Sequence, residues 1–106
     1  MSNLDWTAEE ETIAQTAIKN AYDRETQALI QAINQEASQI KEIKEVWQLH
    51  DYLSAKRHQI DGKYDSRTAV LVFVFADLIK EGWLHSEDLQ GLAQDKLAKI
   101  FSLAKM

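Results

Sequence analysis

Three histidines, His50, His58 and His85, carry the metal-ligating chemistry of this chain, and His50 stands beside Asp51, a pairing that in other contexts orients a catalytic base. Neither arrangement has the spacing its chemistry needs. Zinc held on one helix requires His residues three or four apart with another His or a carboxylate close by, whereas His50 to His58 spans two turns. Adjacent helical residues such as His50 and Asp51 point about 100° apart, and no nucleophile or glycine-rich phosphate loop accompanies them. The residues therefore imply no metal, no cofactor and no catalytic group. Recognition is the chemistry left to them. On a helical wheel Trp47, Asp51, Ser54 and His58 form one strip, and His50, Arg57 and Asp61 form a strip beside it. Trp and Arg combine large contact area with directional donors, as binding hot spots require. The competing reading makes Trp47 plain core and pairs Arg57 structurally with Asp51 or Asp61. Asp51 and Arg57 are six apart, so they can meet only across two helices. The wheel alone weighs the two readings equally.

The elements that must hold these residues are helical. The chain has no Pro and no Gly before Gly62, so nothing punctuates its first sixty residues. Thr7 and Glu10 form a capping box, and Glu9 and Glu11 add negative charge at the favourable end of the helix dipole. Ile18, Tyr22, Leu29, Ile33 and Ile40 then recur in steps of four and seven, with Ala17, Ala21, Ala28 and Ala32 beside them, as in a coiled-coil strip. Past Ile40 the steps shorten to three through Ile43, Val46 and Leu49, which predicts a bend or break near Ser38. A second helix follows with Val46, Leu49, Leu53 and Ile60 on one side and Gly62 as its left-handed terminator. Asp65 is expected to cap a third helix reaching Glu81 and Gly82. Ser86, with Glu87 and Asp88, should open a fourth that runs to the C-terminus. Thr68 to Ile79, TAVLVFVFADLI, has strand-forming residues but no partner strand anywhere, so it reads as a helix buried on most sides.

Composition narrows the class of partner. The chain is 106 residues long, 45% hydrophobic and has a net charge of −5, which describes one domain without the basic field that nucleic acid or anionic lipid requires. With no Cys there is no disulfide frame or thiolate nucleophile. The acidic start MSNLDWTAEEE is unlike a signal peptide, and the longest apolar run, 69–76, is far below the ~20 residues needed to span a bilayer. A cytoplasmic protein without direct membrane insertion is expected, its partner a protein or small molecule.

Geometry favours self-association. A helix from Thr7 to near Ser38 is about 48 Å long, against a radius of gyration of about 13 Å for a compact chain of this size. The expected fold is all-α: a long N-terminal helix, shorter helices after it, and an antiparallel-type homodimer. Residues 7–61 supply the elongated dimerisation helices, with Val46, Trp47, Leu49 and Leu53 at the interface, and 65–106 a C-terminal helical head. A compact monomeric bundle is the alternative.

The run from Trp47 to Arg67, WQLHDYLSAKRHQIDGKYDSR, followed by the apolar FVFA segment, resembles the fluorescence recovery proteins of cyanobacteria. The likeness continues through Val70–Ala76, Glu81, Gly82 and Leu92–Lys96, and thins to Tyr22, Arg24 and Glu25 in the first forty residues. It implies a non-enzymatic helical dimer that binds the red, light-activated form of the orange carotenoid protein and speeds its return to the orange form, ending quenching of phycobilisome excitation. It further implies that Trp47, His50, Asp51 and Arg57 lie on a patch near the dimer interface. Phe73 and Lys99 would contact the carotenoid protein's C-terminal domain. Val46 stands where the family usually has Leu. Any association with thylakoids would come through partners. Two other readings are a helical dimeric adaptor with a different partner and a purely structural dimerisation module.

Overall fold

The first helix begins where the capping box places it. The Glu10 amide donates to Thr7 Oγ1 and the Thr7 amide to Glu10 Oε1, each at 3.1 Å. From there α1 (Ala8–Ser38) runs without interruption. In the computed structural model, which describes residues 5–106, the chain then breaks over residues 39–42 and continues as α2 (Ile43–Lys63), α3 (Leu71–Glu81), a single 3₁₀ turn (Ser86–Leu89) and α4 (Gln94–Ala104). The expected break near Ser38 is present. Four helices and no strand are found among the described residues, as expected of an all-α chain.

The apolar pattern of 68–79 is resolved as a buried helix. Leu71, Val72, Val74, Phe75, Ala76 and Leu78 of α3 are all buried, and α3 packs chiefly on α4, where Ile100 is fully enclosed. The first half of α1 forms the floor of this core through Ala14, Ala17 and Ala21. Small side chains let the α1 backbone approach closely, so the alanine stripe faces the core. The larger residues beside it stay at the rim: Ile18 is partly buried and Tyr22 exposed.

Three local expectations are corrected. Gly62 is not a left-handed terminator: α2 runs through it to Lys63, and among the described residues only Gly82 and Gly91 have positive φ. Asp65 does not cap α3. Its carboxylate is occupied by the amide and guanidinium of Arg67, and α3 starts later, at Leu71, after a turn in which the Val70 amide donates to the Arg67 carbonyl. Ser86 opens only the 3₁₀ turn, because Gly91 at φ 103° reverses the chain before α4 begins at Gln94. Gly82, at φ 86°, ends α3 as expected.

The molecule measures 55 × 25 × 24 Å with a radius of gyration of 16.9 Å, well above the ~13 Å of a compact chain this long. The excess length is the outer half of α1 with α2 beside it. Between them lies a cleft of about 310 Å³ lined by Ala32, Ile33, Ile40, Leu49 and Tyr52 together with Glu36, Gln39, Glu45 and Gln48.

Candidate partner-binding surfaces

Two groups of exposed side chains stand out against a chain whose buried polar atoms are all satisfied among the described residues. The first lies on α2. Trp47 is 59% exposed, so it is not core in this chain, and Val46, His50, Asp51 and Arg57 are exposed with it. Leu49 and Leu53 are half-buried. His50 Nδ1 lies 3.3 Å from Asp51 Oδ1, and Arg57 Nε lies 3.7 Å from Asp61 Oδ2, one turn on. Both pairs are solvent-exposed, and such pairs add little to stability, so Arg57 is not held there for the fold. The ion pair of Arg57 is with Asp61 within the helix; Asp51 stays clear of it.

The second group lies on the head. Of the FVF run, α3 buries Val74 and Phe75 and leaves Phe73, which is 51% exposed. Lys99 projects from α4, and its Nζ stands 5.8 Å from the centre of the Phe73 ring, within cation–π range. The two residues drawn from the resemblance for the head are thus brought together. No hydrogen bond or ion pair joins them to the α2 group. Among the described residues no three His, Asp or Glu side chains converge on a metal-sized site, and no helix is long and apolar enough to cross a membrane.

What sequence reading passed over are the polar joints that place these surfaces. Glu25, 1% exposed, takes Lys63 Nζ at 2.8 Å on both oxygens and the Tyr64 hydroxyl at 2.7 Å, with Lys56 Nζ at 3.6 Å. Lys63 also donates to Glu81 at 2.7 Å, so one cluster links α1, α2 and the end of α3. Burial opposes the charge on Glu25, yet the hydrogen bonds from Lys63 and Tyr64 and the two ammonium groups outweigh it and hold its pKa below the ordinary value. Burial and the adjacent Glu25 carboxylate push the Tyr64 phenol strongly upward, so it remains a donor. A second joint ties Arg24 to Asp88 by two hydrogen bonds, at 2.8 and 3.1 Å, and to the Trp83 carbonyl. A third ties Glu10 to the start of α4 through the Ala93 amide and Lys96 Nζ. The signal for the first was present: Glu25 follows Ala17 and Ala21 at helical spacing, a carboxylate on the apolar stripe.

Comparison with known proteins agrees with this architecture along nearly the whole chain. The family model described as "Photoprotection regulator fluorescence recovery protein" matches residues 6–104. The fluorescence recovery protein of Synechocystis sp. is 48% identical over 101 residues, 95% of this chain and 93% of that protein. The solved structure of the Fremyella diplosiphon fluorescence recovery protein, 57% identical, superposes with a TM-score of 0.92 over 96% of this chain and 100% of the other. That of the Synechocystis sp. protein, 48% identical, gives 0.92 over the same shares. With identity of this order carried from the capping box to α4, the chain belongs to the fluorescence recovery protein family of photoprotection regulators.

Proposed function

We propose that this chain acts in the cytoplasm as a non-enzymatic homodimer that binds the red form of the orange carotenoid protein through that protein's C-terminal domain. It accelerates the partner's return to the orange form, ends quenching and so restores phycobilisome fluorescence. The observation that carries this reading is the Phe73–Lys99 pair: one large apolar ring left half in solvent on an otherwise sealed helix, with a cation above it. Such a facet suits a surface that is both apolar and acidic, of the kind that opens when two domains separate.

Acceleration needs no nucleophile. A scaffold that holds one separated domain ready for docking raises the effective concentration of the other. To speed the return it must favour the docking transition over the separated state, since equal affinity for both changes no rate. The α2 group serves the dimer in this scheme. Val46 and Trp47 are exposed and Leu49 and Leu53 only half-buried within one chain, and a second copy would cover them together with the cleft.

The test is dark relaxation of photoactivated orange carotenoid protein, followed by visible absorbance with substoichiometric amounts of this protein. Faster red-to-orange recovery at catalytic ratios is the expected result. Unchanged recovery in the presence of folded helical dimer overturns the proposal and leaves the adaptor or structural readings.

A further inference from the structure

The placement of α2 rests on few contacts. Within one chain Ile60 is its single buried residue, Tyr64 at its end packs edge-on against Tyr22, and its ion pairs to the body of the molecule are Lys56 and Lys63 on Glu25, and Lys63 on Glu81. Toward its start the helix stands off α1 across the cleft, and Ile43, Val46 and Trp47 are exposed. An apolar contact such as that of Ile60 tolerates sliding, because dispersion has no preferred direction. The Glu25 carboxylate does not. It accepts from Lys63 on both oxygens and from the Tyr64 hydroxyl, so a displaced α2 would strand a buried charge.

A separate observation concerns the same place. Gly62 lies in the last turn of α2, one residue before Lys63, in helical conformation and with open space where a side chain would be. Glycine has a lower helix propensity than residues with a side chain. The turn that delivers Lys63 to Glu25 is therefore intrinsically weak, and the joint keeps it wound.

We propose that Glu25, Lys63 and Tyr64 form a positioning device that sets the angle of α2, and with it the Trp47–Arg57 face, against the head, and that α2 moves when this joint opens. The consequence of that movement for acceleration rests on the function proposed above, whereas the experiment below does not.

The chain has no Cys, so two can be introduced for spin labels without background. Exposed Lys44 on α2 and exposed Ala98 on α4 are suitable, as Lys44→Cys and Ala98→Cys. Labelled chains diluted in excess unlabelled protein report the distance within one chain. The parent should give a narrow distribution. Glu25→Gln and Lys63→Met should broaden it and shift it by about 5 Å, one helical turn. Lys63→Arg, which keeps the charge, should stay closer to the parent than Lys63→Met, and Tyr64→Phe should fall between. Loss of stability alone would lower the unfolding midpoint and leave the folded distance unchanged. A parent-like distribution in helical, folded Glu25→Gln and Lys63→Met overturns the proposal. Should Glu25→Gln fail to fold, the same result in Lys63→Met and Tyr64→Phe does so.

Discussion

Lys96 and Glu10, eighty-six residues apart, form a buried ion pair in which Nζ lies 3.0 Å from Oε1, with the Trp6 ring 5.1 Å from the same ammonium. The Glu10 carboxylate thereby serves the capping box of α1 and the start of α4 at once. Its pKa is lowered to about 2 from an ordinary 4.5, first by the Ala93 amide, against the opposing effect of burial, and then by the Thr7 amide and Lys96. The folded value is the depressed one, so the stabilisation is complete above pH 4.5 and is lost as pH falls toward 2. The linked free energy is on the order of 3 kcal/mol. Urea unfolding followed by circular dichroism should show the midpoint falling through that window. Glu10→Gln should be weaker at neutral pH and lose part of this pH dependence; an unchanged pH profile would contradict the assignment.

The two glycines with positive φ should rank by what surrounds them. At Gly82, φ 86°, a methyl group would meet nothing within 4 Å, so Gly82→Ala should cost only backbone strain, about 1 kcal/mol. At Gly91, φ 103°, the added carbon would also lie 2.6 Å from Ile13 Cδ1. Gly91→Ala should therefore lower the urea midpoint further than Gly82→Ala. The reverse order would show that Ile13 moves aside without cost.

Phe73 and Lys99 should separate binding from folding. Because the Phe73 ring is half in solvent, Phe73→Ala should change stability by less than about 1 kcal/mol. It should nonetheless weaken capture of the red carotenoid protein on a size-exclusion column and slow the accelerated recovery. Lys99→Glu should do the same with an effect that shrinks as salt is raised. Parent-like binding by both variants would place the docking surface elsewhere.

On α2, Val46→Asp puts a charge on the proposed subunit contact without entering the core, since Val46 is 37% exposed in one chain. Light scattering should then report a monomer with undiminished helix content. Arg57→Ala should leave stability within about 0.5 kcal/mol, its pair with Asp61 being exposed, while weakening the dimer or the acceleration. Loss of neither removes that patch from the mechanism.

Features set by the chain's immediate neighbours were legible in the sequence. Thr7 and Glu10 announced the start of α1, the shortened apolar steps announced the break after Ser38, and Gly82 announced the end of α3. Where the reading failed, a side-chain partner that residue type and spacing do not reveal decided the outcome. Gly62 would end a helix in isolation, but Lys63 is held in place by Glu25 and Glu81. Asp65 is a good cap by composition, yet Arg67 reaches its carboxylate first. The exposure of Trp47 could not be read from the wheel, which fits a core strip as well as a surface one. The resemblance in 47–67 singled out the α2 residues, and the adjacency of Phe73 and Lys99 became visible only once α3 and α4 were packed.

One helix, α1, belongs to both ends of the molecule: Ala14, Ala17 and Ala21 floor the head, while Ala32, Ile33 and Ile40 wall the cleft beside α2. The head is consequently not a transplantable cassette. A fragment starting near residue 65 would leave behind one side of its own core and the Glu10 and Arg24 side chains that anchor Lys96 and Asp88. A recombination that swapped either end would cut through α1, so the two ends share a single spine.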